Sequence, residues 1–338
     1  MKPFAQWLVA LVTAATMHAA LADSPLVIRF SHVVAPDSPK GQAAQKFAQL
    51  VSERTAGGVR VDLFANSQLY GDQDEISALL MGGVEILAPS LTKLKVLHVP
   101  EFEVFDLPFL FQDLDAVHRI TQGPIGSSLL AKLGPQGVVG LAFWDNGFKQ
   151  MSANRPLRTP ADFVGLKLRI QPSKILEAQM QALGARPRPM QFSEVYDALR
   201  TGAADGTEGP ESNFYTQNLH QAQKYLTLSN HGYLGYAVIA NKKFWDNLQP
   251  DIRRTLNDAM RDATTYANDT AQHNNDAALS AVAASGKTNI IELSANDRLA
   301  WQSSLSKVRK QAEERLPKEF IARIDHETRF QQTVAATH

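Results

Sequence analysis

The stretch Trp144 to Arg169 reads WDNGFKQMSANRPLRTPADFVGLKLR and offers two cations, Lys149 and Arg169, on separate segments with strand character. A guanidinium is always charged, and its planar fork matches a carboxylate with two parallel hydrogen bonds. A lysine ammonium acts instead as a strongly hydrated point charge. Fixed in one α/β lobe, the two suit a small dianion. Either residue taken alone is read more simply as a surface charge on a solvated strand face, so the elements that carry them decide between the readings.

Lys149 follows the apolar run Val138 to Trp144 and an Asn146-Gly147 turn signal, which predicts a short strand, then a bend that is a candidate hinge. Leu166, Leu168 and Ile170 alternate with Lys167, Arg169 and Gln171, the period of a half-buried strand, so Arg169 projects from the end of a rigid element. Between them, Thr159-Pro160-Ala161-Asp162 has a hydroxyl cap and a proline at the first helical position, a good helix start.

Upstream, Leu26 to His32 and Val59 to Phe64 read as strands around a helix over Ser38 to Thr55. A second helix from the Gly71-Asp72-Gln73-Asp74 turn through Leu80 leads to a short strand at Val84 to Ala88. This βαβαβ rhythm predicts a parallel sheet with helices on its faces, and ligands bind such sheets outside the carboxyl ends of the strands. His32, Gln68 and the Ala88-Pro89-Ser90 segment fall on that rim. Beyond Arg169 the pattern gives a helix over Lys174 to Leu183, a strand over Pro187 to Met190, and a helix from Ser193, its expected N-cap, to Arg200, closed by Gly202. Strands are expected at Leu226 to Leu228 and Tyr233 to Ala240. Helical periodicity then runs unbroken from about Pro250 to Ala284, and Ser294 with Asp297 caps a further helix.

Met1-Lys2, an apolar run to Leu21 and the small-residue site Ala20-Leu21-Ala22 have the form of a secretory signal peptide cleaved after Ala22. Cysteine is absent, so an exported product is stabilised by its core alone. The remaining length suggests two lobes. The 34 basic residues, less Lys2, balance 34 acidic ones, which gives no reason to expect nucleic acid or anionic lipid as a partner.

The nine histidines show no HExxH or other close ligand spacing, and no Gly-x-Ser-x-Gly elbow or phosphate loop is present. Glu194 and Asp197, one helical turn apart, read as a solvated face rather than a catalytic pair. No cofactor or metal is expected. Solute capture is the function these features leave: two cations replace the hydration that carboxylates lose on entering a cleft, and lobe closure excludes solvent. A sensing partner of a signalling receptor and a periplasmic enzyme are the readings from other classes.

Several collinear segments carry a resemblance: FSHVVAPDSPKGQAAQKFAQLV, SQLYGDQDE, FDLPFLF at Phe105 to Phe111, the Lys149–Arg169 stretch continued to IQPS, MQFSEVYDALRTGAADG, and NHGYLGYAVIANKKFWDNL. Over essentially all of the mature chain the sequence resembles the substrate-binding proteins of TRAP transporters, in their dicarboxylate-type, DctP-like branch. The resemblance implies a two-lobed periplasmic α/β fold with mixed sheets, its lobes bridged by long strands and a long helix. The expected division is 23–146 plus about 235–274 for domain I and 147–234 plus about 275–338 for domain II. It implies a monomer that hands a small carboxylate to small and large integral membrane subunits driven by an ion gradient.

In the family an arginine at the position of Arg169 forms the main salt bridge to the ligand. At the position of Lys149 sialic acid binders have arginine and dicarboxylate-type members often have lysine, so Lys149 is expected to meet a second carboxylate. His32, Phe192 and His231 match cleft positions, and Gln68 and Ser90 match rim loops. Phe192 as a core residue and His231 as hinge packing are the plain alternatives. The family's Asp-Gly-x-Glu-Asn-Pro run appears here as Asp205-Gly206-Thr207-Glu208-Gly209-Pro210, so Gly209 stands where an asparagine normally donates to the ligand. A water or a bulkier aromatic or branched diacid would use that volume. A monocarboxylate, such as a keto acid or sugar acid, is the other ligand expectation.

Overall fold

The computed structural model describes residues 24–335, so the signal peptide expected over residues 1–22 lies outside the described residues. The chain runs β1 (Leu26–Ser31), α1 (Pro39–Arg54), β2 (Val59–Phe64), α2 (Glu75–Leu80), β3 (Ile86–Leu87), two short 3-10 stretches at Leu91–Leu97 and Pro100–Asp106, α3 (Leu114–Thr121), α4 (Pro124–Ala131) and β4 (Val138–Ala153). There follow β5 (Lys167–Ile170), α5 (Lys174–Ala182), β6 (Arg186–Pro189), α6 (Val195–Thr201), β7 (Gly206–Gly209), α7 (Glu211–Thr216) and β8 (Tyr225–Asn241). The chain closes with α8 (Lys242–Asp246), α9 (Pro250–Ser285), β9 (Asn289–Glu292), α10 (Ala295–Glu313) and α11 (Lys318–Ala335).

Among the described residues the strands join in one mixed sheet of order β2-β1-β3-β8-β4-β7-β5-β6, with β9 on the outer part of β8. The flanks are parallel, as the βαβ rhythm requires: β1 with β2 and β3, and β5 with β6 and β7. The centre is antiparallel, where β4 runs against β8 over most of its length and against β7 at its end.

Two expectations are corrected at this centre. Val138 to Trp144 does not end at a turn, and Tyr225–Asn241 is not two strands. Each is one long strand, of 16 and 17 residues, kept in register across three irregularities. The Asn146-Gly147 signal marks one of these, the shift between Asp145 and Gly147. Gly147 has φ +146, and a Cβ there would stand 2.4 Å from Asn275 Nδ2 of α9, so glycine is what lets the long helix lie against the bulge.

α1 begins as its sequence predicts, with Ser38 Oγ accepting from Gly41 N at 3.2 Å and proline at its first position. Its buried Ala43, Ala44, Phe47 and Val51 meet the small residues of α9, Ala259, Ala263 and Ala267, over a core that holds Phe30 stacked on Trp144. At 36 residues α9 is about 54 Å long. A second core gathers Phe102, Phe105, Phe143 and Phe163 with Trp301 of α10, and a third, smaller one lies under α6 and α7.

Local signals fix some element ends and not others. The Ser294–Asp297 capping box starts α10, and Gly202 in the left-handed region closes α6. Ser193 does not cap α6. It sits inside a 3-10 turn, and the box is formed by Gln191 and Glu194, with Gln191 N donating to Glu194 Oε2 at 3.2 Å. Thr159 and Asp162 cap a single 3-10 turn, and not a longer helix.

Candidate functional site

Arg169 is the third residue of β5, flanked by parallel strands on both sides and only 4% exposed. Its Nε and NH2 donate to Met190 O at 3.2 and 3.0 Å, and the Phe192 ring lies 5.6 Å from its guanidinium carbon. Burial pushes its pKa down, while Asp72, Glu208 and Glu194 oppose this from a distance without bonding it. The charge persists at neutral pH, and most of the guanidinium's five donors are uncommitted.

Lys149, equally buried on β4, is placed differently. Its Nζ donates to Glu208 Oε1 of β7 at 2.8 Å, and Glu208 Oε2 receives His231 Nε2 at 3.0 Å. Burial alone would raise the Glu208 carboxyl, but the Lys149 charge and the His231 hydrogen bond hold it at about 2. The cation expected to meet a second ligand carboxylate is therefore already met by the protein's own.

A second unmatched cation comes from an unexpected place. Lys40, in the first turn of α1 and 1% exposed, donates to Ala88 O at 2.9 Å and stands 3.9 Å above the Tyr236 ring. Burial, then the positive charge of Lys93, bring its pKa down to about 7 against the pull of Glu75 and Asp72. Lys93 itself is bound by Asp72 and by Glu75 at 2.5 Å. Asp72 Oδ2 also accepts Phe192 N at 2.5 Å, and burial of its carboxylate is outweighed by Lys93, which keeps its pKa low.

Arg169, Lys149, Lys40, Lys93, Asp72 and Glu208 line one cavity, and with Glu75 behind Lys93 four cations face three carboxylates.

Of the other residues expected at the site, Phe192, Ser90 and Gly209 also line this cavity. Ser90 Oγ donates to Gln171 Oε1, and a Cβ built on Gly209 meets nothing within 4 Å. His231, Gln68 and His32 do not line it. His231 is buried behind Glu208, its Nδ1 2.8 Å from Ser229 Oγ. Gln68 is exposed. His32 is buried beside Lys40, where burial and that charge push its pKa down to about 3, while its neighbours Val33 and Val34 reach the cavity. Glu194 and Asp197 are exposed, as the sequence predicts, and Asp197 pairs with Arg200 at 3.1 Å.

Lys40, Asp72, Lys93 and Glu208 are not singled out by the sequence. For Lys40 a signal exists: a lysine in a helix's first turn faces the positive end of the macrodipole, an unfavourable place for a cation without another purpose. Asp72 and Lys93 meet only through tertiary structure.

A mixed α/β sheet holding a buried, cation-rich cavity is the architecture of a solute-binding protein. Residues 30–315 match the sequence profile of the family described as bacterial extracellular solute-binding protein, family 7 (DctP). The chain belongs to that family. It is 55% identical over 300 residues to the C4-dicarboxylate-binding periplasmic protein DctP of Rhodobacter capsulatus, covering 89% of this chain and 90% of that one. A TRAP periplasmic solute binding protein from Shewanella oneidensis, solved with bound succinate, superposes with a TM-score of 0.88 at 40% identity, over 90% of this chain and 99% of the other. Another from Pseudomonas aeruginosa, solved with bound L-malate, gives 0.82 at 40% identity, over 85% and 100%.

Proposed function

We propose that this chain is a periplasmic receptor that captures a small dicarboxylate and delivers it to the integral subunits of a TRAP-type transporter. The observation that carries the ligand class is the pairing of two buried cations without carboxylate partners, Arg169 and Lys40, on one cavity. A buried guanidinium that no carboxylate bonds is costly, and a dianion meets it with one carboxylate while the other draws a proton onto Lys40, whose pKa burial holds at about 7. A monocarboxylate meets only one. A C4 skeleton is in keeping with the succinate and L-malate bound in the two solved relatives.

Arg169 is the primary anchor in this reading, with Phe192 over its guanidinium. The second anchor is Lys40 rather than Lys149, whose charge Glu208 meets; Lys149, Ser90 and Gly209 shape the wall. The lobes divide at 23–146 plus about 235–274 and 147–234 plus about 275–338, so that Lys40 and Arg169 approach the ligand from opposite sides as the cleft closes. The receptor acts as a monomer and has no catalytic role.

A thermal-shift panel of succinate, malate, fumarate, butyrate, pyruvate and gluconate tests this. At a ligand concentration of about 100 times Kd, binding adds roughly 2.7 kcal/mol of stability. Stabilisation by the diacids alone is expected; stabilisation by monoacids with none from diacids sinks the reading.

A further inference from the structure

Asp72 is an anomaly in an anion site: a buried carboxylate on the wall of a cavity that also presents Arg169. Its contacts explain its presence. Lys93, held also by Glu75, fixes one side of the carboxylate, and Oδ2 takes the backbone amide of Phe192 from residues far along the chain. Those residues are the ones that set the arginine. Met190 O receives two guanidinium donors, and the Phe192 ring covers the guanidinium carbon. The same seam is closed a second time where Ser90 bonds Gln171, the residue two beyond Arg169. The two segments also approach at Gly71, where a Cβ would stand 2.7 Å from the Gln191 side-chain oxygen.

We infer that Asp72 is a latch: clamped by Lys93, its carboxylate captures the Phe192 amide when the cleft shuts, and thereby both traps the ligand and holds Arg169 in its binding orientation. This rests on the reading of the cavity as a carboxylate site. The latch is a positioning device, since Asp72 does its work through Phe192 and Met190 and need not touch the ligand. Its negative charge weakens affinity for an anion somewhat, and the hydrogen bond across the seam compensates by lengthening residence time. That opposition makes the inference sharp. If Asp72 were only a like charge tolerated near the ligand, its removal would tighten binding.

Stopped-flow measurement of succinate association and release separates the two. For Asp72→Ala we expect release about tenfold or more faster, with association changed by about threefold at most, as follows when a bond that forms only on closure is removed. Asp72→Asn keeps an acceptor oxygen for the amide and should release more slowly than Asp72→Ala. Release from Asp72→Ala that is unchanged or slower overturns the latch, as does an association rate that falls in step with the rise in release. Should Asp72→Ala fail to fold, amide exchange on the unmodified protein decides: the Phe192 amide should be protected about a hundredfold more with succinate than without, and equal protection overturns the proposal. Failure of the carboxylate reading looks different, since the unmodified protein would then bind no diacid at all.

Discussion

Lys149 Nζ stands 2.8 Å from Glu208 Oε1 across neighbouring antiparallel strands, so the lysine that sequence alone offers to a ligand is neutralised inside the protein. Met151 is the register partner of Glu208, which puts Lys149 on the diagonal, within reach of a long side chain. Both are nearly inaccessible, and breaking one half of such a pair strands a charge. Glu208→Gln should therefore destabilise the ligand-free protein by about 3 kcal/mol in denaturant unfolding. The carboxyl lies at about 2 when folded against 4.5 ordinarily, so its contribution is complete above pH 4.5 and disappears as pH falls toward 2. The variant should lack this share of the acid-limb slope, and a slope equal to that of the unmodified protein would mean Glu208 carries no such stability.

Arg169→Gln tests the anchor. Two charge-assisted bonds of roughly 1.5 to 3 kcal/mol each predict a loss of about 3 kcal/mol or more, a hundredfold or greater rise in Kd for succinate by calorimetry. The ligand-free protein should hold its stability, because the substitution removes a buried charge that Asp72, Glu208 and Glu194 favour only from a distance and none of them bonds. Unchanged affinity in a folded variant would refute the site.

Lys40→Met tests the second anchor and a coupling of capture to protons. The folded pKa of Lys40, about 7, lies far below the 10.5 of a free lysine, chiefly through burial, and a carboxylate placed against it raises that value again. Between the free and bound values, binding must take up a proton, so Kd for a dianion rises with pH above about 7, by up to tenfold per unit, and is flat below it. Calorimetry in buffers of different ionisation enthalpy should register the uptake at pH 8. Lys40→Met should abolish it and weaken diacids about tenfold or more while sparing monoacids. Equal losses for both acid classes would remove Lys40 as the second anchor.

How far the site can be read from the sequence follows from how local each cause is. The place of Arg169 on β5 in the cavity wall is legible because its strand alternation and its chemistry coincide in a few residues. α1, α10 and the Gly202 stop are legible because caps act within one turn. The Asn146-Gly147 bulge reads in sequence as a turn, since the dipeptide encodes backbone freedom and only α9 packing against it decides the use. Glu208 and Asp72 are invisible as site residues because their partners, Lys149 and Lys93, are brought to them by sheet order and loop packing. His231, expected at the cleft, lies one layer behind it, orienting Glu208. Period-two patterning states which face a residue takes, and leaves open how deep along that face the ligand sits.

Gly209→Asn tests whether this position limits the size of the acid. Gly209 ends β7 beside Glu208, lines the cavity, and leaves open space where a Cβ would project, with no positive φ to forbid a side chain. Gly209→Asn, which restores the amide of the family pattern, should therefore fold without loss. If that space is empty around a C4 diacid, the new amide adds one hydrogen bond worth about 1 kcal/mol, and the Kd for succinate falls about fivefold. If instead the natural ligand's own atoms occupy it, the asparagine collides with them and affinity for that ligand drops. Competition between succinate and larger acids on the two proteins tells these apart. Gain for succinate with loss of every larger acid would mark Gly209 as the size limit of the site, whereas weaker succinate binding would show that even the C4 skeleton reaches β7.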